Sequence, residues 1–274
     1  MHKQRLDTLL TERGLFASRT RAAASVMAGE VCVGRERRRA QKPGELVALD
    51  APLSVAERPR YVSRGGIKLE NALAATGLDV RDRRALDVGA STGGFTDCLL
   101  QHGAAEVVAV DVGYGELAYT LRGDPRVQVL ERTNARTLTP ELLPPPRDAD
   151  LGRPDLAVID VSFISLAKVL PAVLGCLQET YDVLALVKPQ FEVGREVAAR
   201  GRGVVRDAED RRAALIAAAL AARGLGAAVT GLCFSGLPGP KGNRETFLWL
   251  AHEGHPAAAG SVADIEGMAR EVEP

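Results

Sequence analysis

The stretch Ala85-Leu86-Asp87-Val88-Gly89-Ala90-Ser91-Thr92-Gly93-Gly94-Phe95-Thr96-Asp97 decides the fold of this 274-residue chain. It reads as a buried strand, Arg84–Val88, that enters the Gly-rich turn Gly89–Gly94 and then a helix. Glycine suits a backbone that must approach a ligand closely, and a helix N-terminus presents unpaired N–H groups and a positive dipole end. The next apolar run, Val107–Val110, ends in Asp111, about 20 residues beyond the glycines, where an acid can accept both hydroxyls of a ribose. The pattern therefore points to a nucleoside cofactor, with Asp87, Gly89, Ala90, Ser91, Gly93, Gly94, Phe95 and Asp111 as its candidate contacts. The phosphate fingerprint G-x-G-x-x-G and the P-loop Lys-Ser/Thr pair are both absent. That argues against a dinucleotide or ATP and for a cofactor without phosphate, such as S-adenosylmethionine.

Working outward, strands and helices alternate. Strands are expected at Ala85–Val88, Val107–Val110, Val127–Leu130, Leu156–Ile159, Val183–Val187, Val229–Phe234 and Thr246–Leu250. Helices are expected at Gly94–Gln101, Glu116–Leu121, Leu166–Glu179 and Ala208–Arg223, with another after Arg64-Gly65-Gly66 that carries Lys68, Leu69 and Leu73. The chain is thus α/β, a doubly wound, seven-stranded, Rossmann-like sheet, with its ligand at the C-terminal strand ends. Ala51–Tyr61, with Pro52 and Pro59, reads as a linker, and residues 255–274 read as a Gly- and Ala-rich tail.

Ahead of the linker lies a small α+β module. Leu6, Leu9 and Leu10 share one helical face that ends at Gly14; Ser18 caps a second helix, Arg19–Ala28. Strands Val31–Val33 and Leu46–Leu49 flank the basic run Arg35-Glu36-Arg37-Arg38-Arg39. Residues 1–60 hold 12 Lys and Arg against 7 Asp and Glu, a net +5 that leaves −5 for the remainder of a neutral chain. A basic module on a neutral chain suits an RNA backbone. Arg5, Ser18, Arg19, Arg21, Arg35, Arg37 and Arg38, together with Arg64, are the candidate RNA contacts. The order helix, Ser-Arg-x-x-Ala helix, Gly-x-Val-x-Val hairpin resembles the S-four RNA-binding domain of ribosomal proteins and pseudouridine synthases.

Four cysteines are scattered without a C-x-x-C pair, which fits a reduced cytoplasmic setting and offers no metal site. No signal peptide is visible. The longest apolar run, Ala213–Ala222, is about half of the ~20 residues that span a bilayer, so it reads as a buried helix.

Four ionisable residues stand where this fold places chemistry. Asp160 ends the fourth strand, Lys188 ends the fifth, Glu245 opens the last, and Lys68 lies on the helix before the cofactor strand. Two lysines with two carboxylates form a neutral cluster that tolerates partial burial. Here the chain resembles a family. Tyr61-Val62-Ser63-Arg64-Gly65-Gly66-x-Lys68-Leu69, the turn from Asp87 to Asp97, Asp160-Val161-Ser162-Phe163-Ile164-Ser165, Val187-Lys188-Pro189-Gln190-Phe191-Glu192 and Gly242-Asn243-x-Glu245 are similar to the TlyA group. These bacterial rRNA 2′-O-methyltransferases, also called haemolysin A, join an S-four domain to an FtsJ-like catalytic domain.

The resemblance implies S-four-like residues 1–60, an FtsJ-like S-adenosylmethionine-dependent domain at 61–254, and a substrate of ribosomal RNA or ribosomal subunits, with cytidine the modified nucleoside. No membrane or DNA partner is expected. The resemblance also implies a Lys-Asp-Lys-Glu catalytic tetrad on Lys68, Asp160, Lys188 and Glu245, and adenine near Arg132-Thr133-Asn134, with Asn134 a cofactor contact. Ser91-Thr92 stands where FtsJ proteins usually have Ala-Pro. A ribose 2′-hydroxyl is a poor nucleophile, so an enzyme must align it and remove its proton. Asp160-Val161-Ser162-Phe163 lacks the Asn/Asp-Pro-Pro-aromatic motif that grips an exocyclic amine, and no cysteine is there to attack a pyrimidine ring. Two other readings stay open: a non-catalytic RNA-binding or ribosome-assembly factor on a methyltransferase fold, and a haemolysin. The latter is disfavoured by the missing secretion signal and membrane span.

Overall fold

A computed structural model describes residues 2–56 and 59–274. The chain divides into two units, Met1–Pro59 and Arg60–Pro274. Residues 57 and 58, in the expected linker, lie outside the described residues.

In the smaller unit, helices Leu6–Glu12 and Arg19–Met27 bury Leu6, Leu9, Leu10, Ala22 and Val26 against Val31, Val33 and Val47. The Ser18 hydroxyl accepts from Arg21 N at 3.3 Å, the expected N-cap. Strand Val31–Val33 pairs antiparallel with Arg38–Arg39 on one side and Leu53–Val55 on the other. The expected linker therefore contains a strand, because Leu53 and Val55 pack on the module's core. The basic run between the two expected strands itself ends in strand, at Arg38–Arg39. Lys3–Arg5 pairs with Leu46–Ala48; its Lys-Gln-Arg sequence carries no apolar alternation, and backbone hydrogen bonds alone define it.

The larger unit is organised by seven strands: β1 Arg84–Val88, β2 Glu106–Val110, β3 Val127–Leu130, β4 Leu156–Ile159, β5 Asp182–Val187, β6 Ala228–Phe234 and β7 Thr246–Ala251. Their order across the sheet is β6-β7-β5-β4-β1-β2-β3. Neighbours are parallel except that β7 runs antiparallel to β5 and β6. Leu86 and Val88 of β1, with Ala157 and Ile159 of β4, enter one core; Ala85, Leu156 and Val158 enter the other. Side chains alternate along a strand, so a sheet covered on both faces shows continuous apolar runs. Helices α1 Arg64–Thr76 and α2 Gly94–Gln101 cover one face. Helices α3 Leu170–Cys176, α4 Ala208–Gly224 and α5 Val262–Val272 cover the other.

Three helical expectations need correction. Residues 116–118 are not helical; only Tyr119–Arg122 forms a short turn of helix. The helix expected over Leu166–Glu179 is a 3₁₀ turn, Leu166–Lys168, followed by α3. Pro171 lies in the first turn of α3, where its missing N–H is tolerated, and so it starts a new helix. The expected tail contains α5, whose Ile265 and Ala269 are fully buried. A capping box between Ser261 and Asp264 starts it, and Ile265, Met268, Ala269 and Val272 repeat at helical spacing. Low-complexity residues before it conceal that period.

Candidate active site

Strand register gathers the candidate residues at one edge of the sheet. Val88 of β1 is in register with Val110 of β2 and Ile159 of β4, so Gly89, Asp111 and Asp160 each follow the last paired residue of their strand. Thr246 is opposite Val187, so Glu245 and Lys188 project from the same end of an antiparallel pair. The chain order reverses between β1 and β4, which is where an open α/β sheet leaves its crevice.

The crevice is close-packed at its base. Gly89 has φ +88°, and a Cβ there would stand 2.6 Å from the Asp160 carbonyl oxygen. Only glycine meets both demands. Gly94 serves packing instead: a Cβ would lie 2.2 Å from Ser63 Oγ and 2.9 Å from Gly66 N, because α1 and α2 meet at their N-termini. Its role is thus helix contact, although it also lines the cavity.

Two cavities adjoin at Gly89, Ser91 and Asp160. The first is lined by Lys68, Asp160, Lys188 and Glu245, with Arg64, Ala90, Gly94 and Phe95. Lys68 Nζ lies 2.5 Å from Glu245 Oε2, and both side chains are buried. Lys188 Nζ lies 2.6 Å from Asp160 Oδ1 as an ion pair, while its hydrogen bond runs to Ser162 Oγ at 2.9 Å. Glu245 Oε1 is buried without a hydrogen-bond partner. Each ammonium thus has its own carboxylate, as a desolvated cluster requires.

The second cavity, of about 520 Å³, runs from Gly89 and Ser91 past Asp111 and Glu116 to Asn134. Asp111 Oδ2 accepts from Ser91 N and Oδ1 from Gly113 N, each at 2.7 Å. A carboxylate has about four acceptor positions, so this one is held in place with capacity left. Asn134 Oδ1 accepts from Arg136 N at 3.0 Å, which leaves its amide N–H₂ for a ligand. Asp87 and Gly93 line neither cavity. Gly93, at φ +95°, turns the chain against Leu117 and Leu121. Asp87 is wholly buried behind the turn and accepts from Thr96 Oγ1 at 2.6 Å. Burial, opposed by that hydrogen bond and aided by Asp160 and Asp111, pushes its carboxyl up to about 7.

Sequence reasoning overlooked several residues here. Ser162 holds Lys188, and its signal was its place two residues beyond Asp160. Glu116 accepts from Ser91 Oγ at 3.3 Å. Glu192 accepts from Leu166 N at 2.8 Å and Ser165 Oγ at 2.7 Å, tying the turn after β5 to the loop after β4. Burial raises its carboxyl above the usual range against those two bonds. Arg64, expected among the RNA contacts, lines the cavity that holds Lys68.

The remaining RNA candidates lie in the smaller unit and are unequal. Arg5 and Arg19 reach Asp7 at 2.8 and 3.3 Å, and Arg38 reaches Glu45 at 2.8 Å. Arg5, with Arg19, holds Asp7 well below the usual carboxylate range. Ser18 is occupied as a cap. Arg21, Arg35 and Arg37 are exposed, and among the described residues none of the three is in an ion pair.

Among the described residues no three His, Cys, Asp or Glu side chains gather to hold a metal, and no helix is long and apolar enough to cross a membrane. The FtsJ-like methyltransferase family matches residues 61–252. A Mycobacterium tuberculosis protein named 16S/23S rRNA (cytidine-2′-O)-methyltransferase TlyA is 51% identical over 251 residues, 90% of each chain. Hemolysin A of Brachyspira hyodysenteriae is 37% identical over 90% of this chain and 98% of its own. A solved structure from Streptococcus thermophilus, provisionally named a hemolysin, superposes with a TM-score of 0.70 at 42% identity, over 99% of this chain and 96% of that one. With these relatives, and two lysine–carboxylate pairs beside a glycine turn, the chain belongs to the FtsJ-like methyltransferases, in the TlyA family of rRNA 2′-O-methyltransferases.

Proposed function

We propose that this chain transfers a methyl group from S-adenosylmethionine to the 2′-hydroxyl of a cytidine in ribosomal RNA. The observation that carries the reading is the pair of ion pairs, Lys68–Glu245 and Lys188–Asp160, lining one cavity beside the glycine turn. The neighbouring cavity supports the cofactor. It lies within the usual range for small-molecule sites, and Asp111, Glu116 and Asp160 against the one cation Arg136 give it a net negative lining, which a sulfonium favours. When bound, S-adenosylmethionine supplies an electrophilic methyl, so the protein's task is alignment and removal of one proton.

Lys188, once its own proton has passed to solvent, takes the hydroxyl proton onto Nζ as a neutral amine, and Asp160 stabilises the ammonium that re-forms. Ser162 fixes the direction of the amine. Lys68, held by Glu245, keeps a positive charge beside the oxygen as it gains electron density. Exposed Arg21, Arg35 and Arg37, in an S-four-like module, hold the RNA backbone. Asp111 accepts the cofactor's ribose hydroxyls and Asn134 donates toward its adenine. Ribosomal RNA in its subunits is the partner, not DNA or a membrane. The same substrate, with four unpaired cysteines, supports the cytoplasm as the site of action.

The test is to incubate the protein with ribosomal RNA or subunits and methyl-labelled S-adenosylmethionine, then digest the RNA and identify the labelled nucleoside. Label in 2′-O-methylcytidine is the expected result. Label on a base overturns the chemistry, and RNA binding without label favours the assembly factor.

A further inference from the structure

One buried acid of the larger unit has no part in the chemistry above. Glu273 follows α5 as its C-cap and is 1% exposed. Its carboxylate accepts from Arg211 Nε at 2.7 Å, Arg244 Nε at 3.0 Å and Thr246 Oγ1 at 3.2 Å. Main-chain oxygens of the same segment are also gripped: Arg212 donates to Glu273 O and Arg244 to Val272 O, each at 2.9 Å. Two of the three side chains that hold the carboxylate, Arg244 and Thr246, flank Glu245.

We propose that Glu273 is a positioning residue for methyl transfer, which clamps Arg244 and Thr246 from the far face of the sheet and thereby fixes Glu245. The proposal rests on the reading of Glu245 as part of the methyl-transfer site. Ser235 N donates to Glu245 O at 3.1 Å, so strand pairing continues one residue ahead of β7. Side chains there alternate between faces. Glu245 accordingly reaches Lys68 on α1, while Arg244 and Thr246 reach the end of α5 on the opposite side.

Glu245 needs such support. Lys68 holds one of its oxygens, and the other, Oε1, has no hydrogen-bond partner. Gly239 is so close that a Cβ there would come within 2.1 Å of Oε1. The carboxylate's direction therefore depends on where the backbone of 244–246 sits. Thr246 is also opposite Val187, the residue before Lys188, so a shift there reaches both ion pairs. Displacement of a catalytic group by an ångström can cost on the order of 100-fold in rate.

Steady-state methyl transfer to ribosomal RNA, normalised to folded protein, tests this with Glu273→Gln and Glu273→Ala, and with Glu245→Gln as the reference. Glu273→Gln keeps size and one acceptor, and a severalfold loss of kcat is expected; for Glu273→Ala the loss is roughly 10-fold to 100-fold. The KM for S-adenosylmethionine should stay at the wild-type value in both. Wild-type kcat in folded Glu273→Gln, with Glu245→Gln inactive, overturns the proposal. So does a parallel loss of kcat and cofactor affinity, which marks general damage to the fold. A fully active Glu245→Gln instead overturns the underlying reading of the site. If Glu273→Ala does not fold, the Gln variant decides.

Discussion

Lys188 follows the buried run Val183–Val187 and meets both Asp160 and Ser162. Lys188→Met keeps the apolar stem and deletes the amine, so packing is preserved and the cost in stability comes from leaving Asp160 without its counter-ion. Methyl transfer should drop by about 10²–10⁴, the usual cost of losing a placed general base. Lys188→Arg can keep the ion pair with Asp160, yet guanidinium holds its proton at any usable pH. It should therefore be nearly as inactive in single-turnover assays; an active Arg variant would make Lys188 an electrostatic holder of RNA. Asp87 gives a second prediction. Its carboxyl is pushed from an ordinary value near 3.8 up to about 7 by burial, so between those pH values the folded state binds more protons than the unfolded state. Stability from this group is present below about pH 4 and is lost as pH rises through about 7. Urea unfolding of Asp87→Asn should lack that fall, so its stability relative to wild type should grow from pH 4 to pH 8.

At the scale of elements, α5 shows how much a short helix can anchor. Its Ile265 is fully buried in the core shared with β5 and α4. Ile265→Ala should cost about 2–5 kcal/mol, the range for a large-to-small change in a packed core. Denaturant midpoints measure it, and a cost under about 0.5 kcal/mol, typical of surface positions, would mean α5 is not docked. Strand edges were legible because the run before Asp111, Asp160 and Lys188 is apolar in each case. Helices Glu116–Leu121 and Leu166–Glu179 were misjudged because apolar residues in loops beneath a sheet imitate helical spacing. There the backbone follows local breaks such as Pro171 and the packing of Leu117 and Leu121 on Gly93.

Across the whole molecule, charge separates the two units, and labour should follow it. Strand Leu53–Val55 pairs with Val31–Val33, so a truncation at residue 50 would cut a sheet, whereas removing residues 1–59 takes the whole unit. That deletion should leave S-adenosylmethionine binding nearly intact by calorimetry and weaken RNA binding. The log–log salt slope should become shallower by about 0.7–0.9 for each lost phosphate contact. Unchanged RNA affinity would show that Arg21, Arg35 and Arg37 face no phosphate.

The sequence alone determined the α/β alternation, the seven strands and the residues that end them, because burial on both faces forces continuous apolar runs that stop at charged or glycine positions. It also marked Lys68, Asp160, Lys188 and Glu245 as candidates, through their places in motifs. Only the tertiary structure decided how these pair, Lys68 with Glu245 and Lys188 with Asp160. Pairing depends on the sheet order and on β7 running antiparallel, and neither leaves a local mark in the chain. The same holds for Glu273, whose partners at 211, 244 and 246 become neighbours only when α5 closes on the sheet.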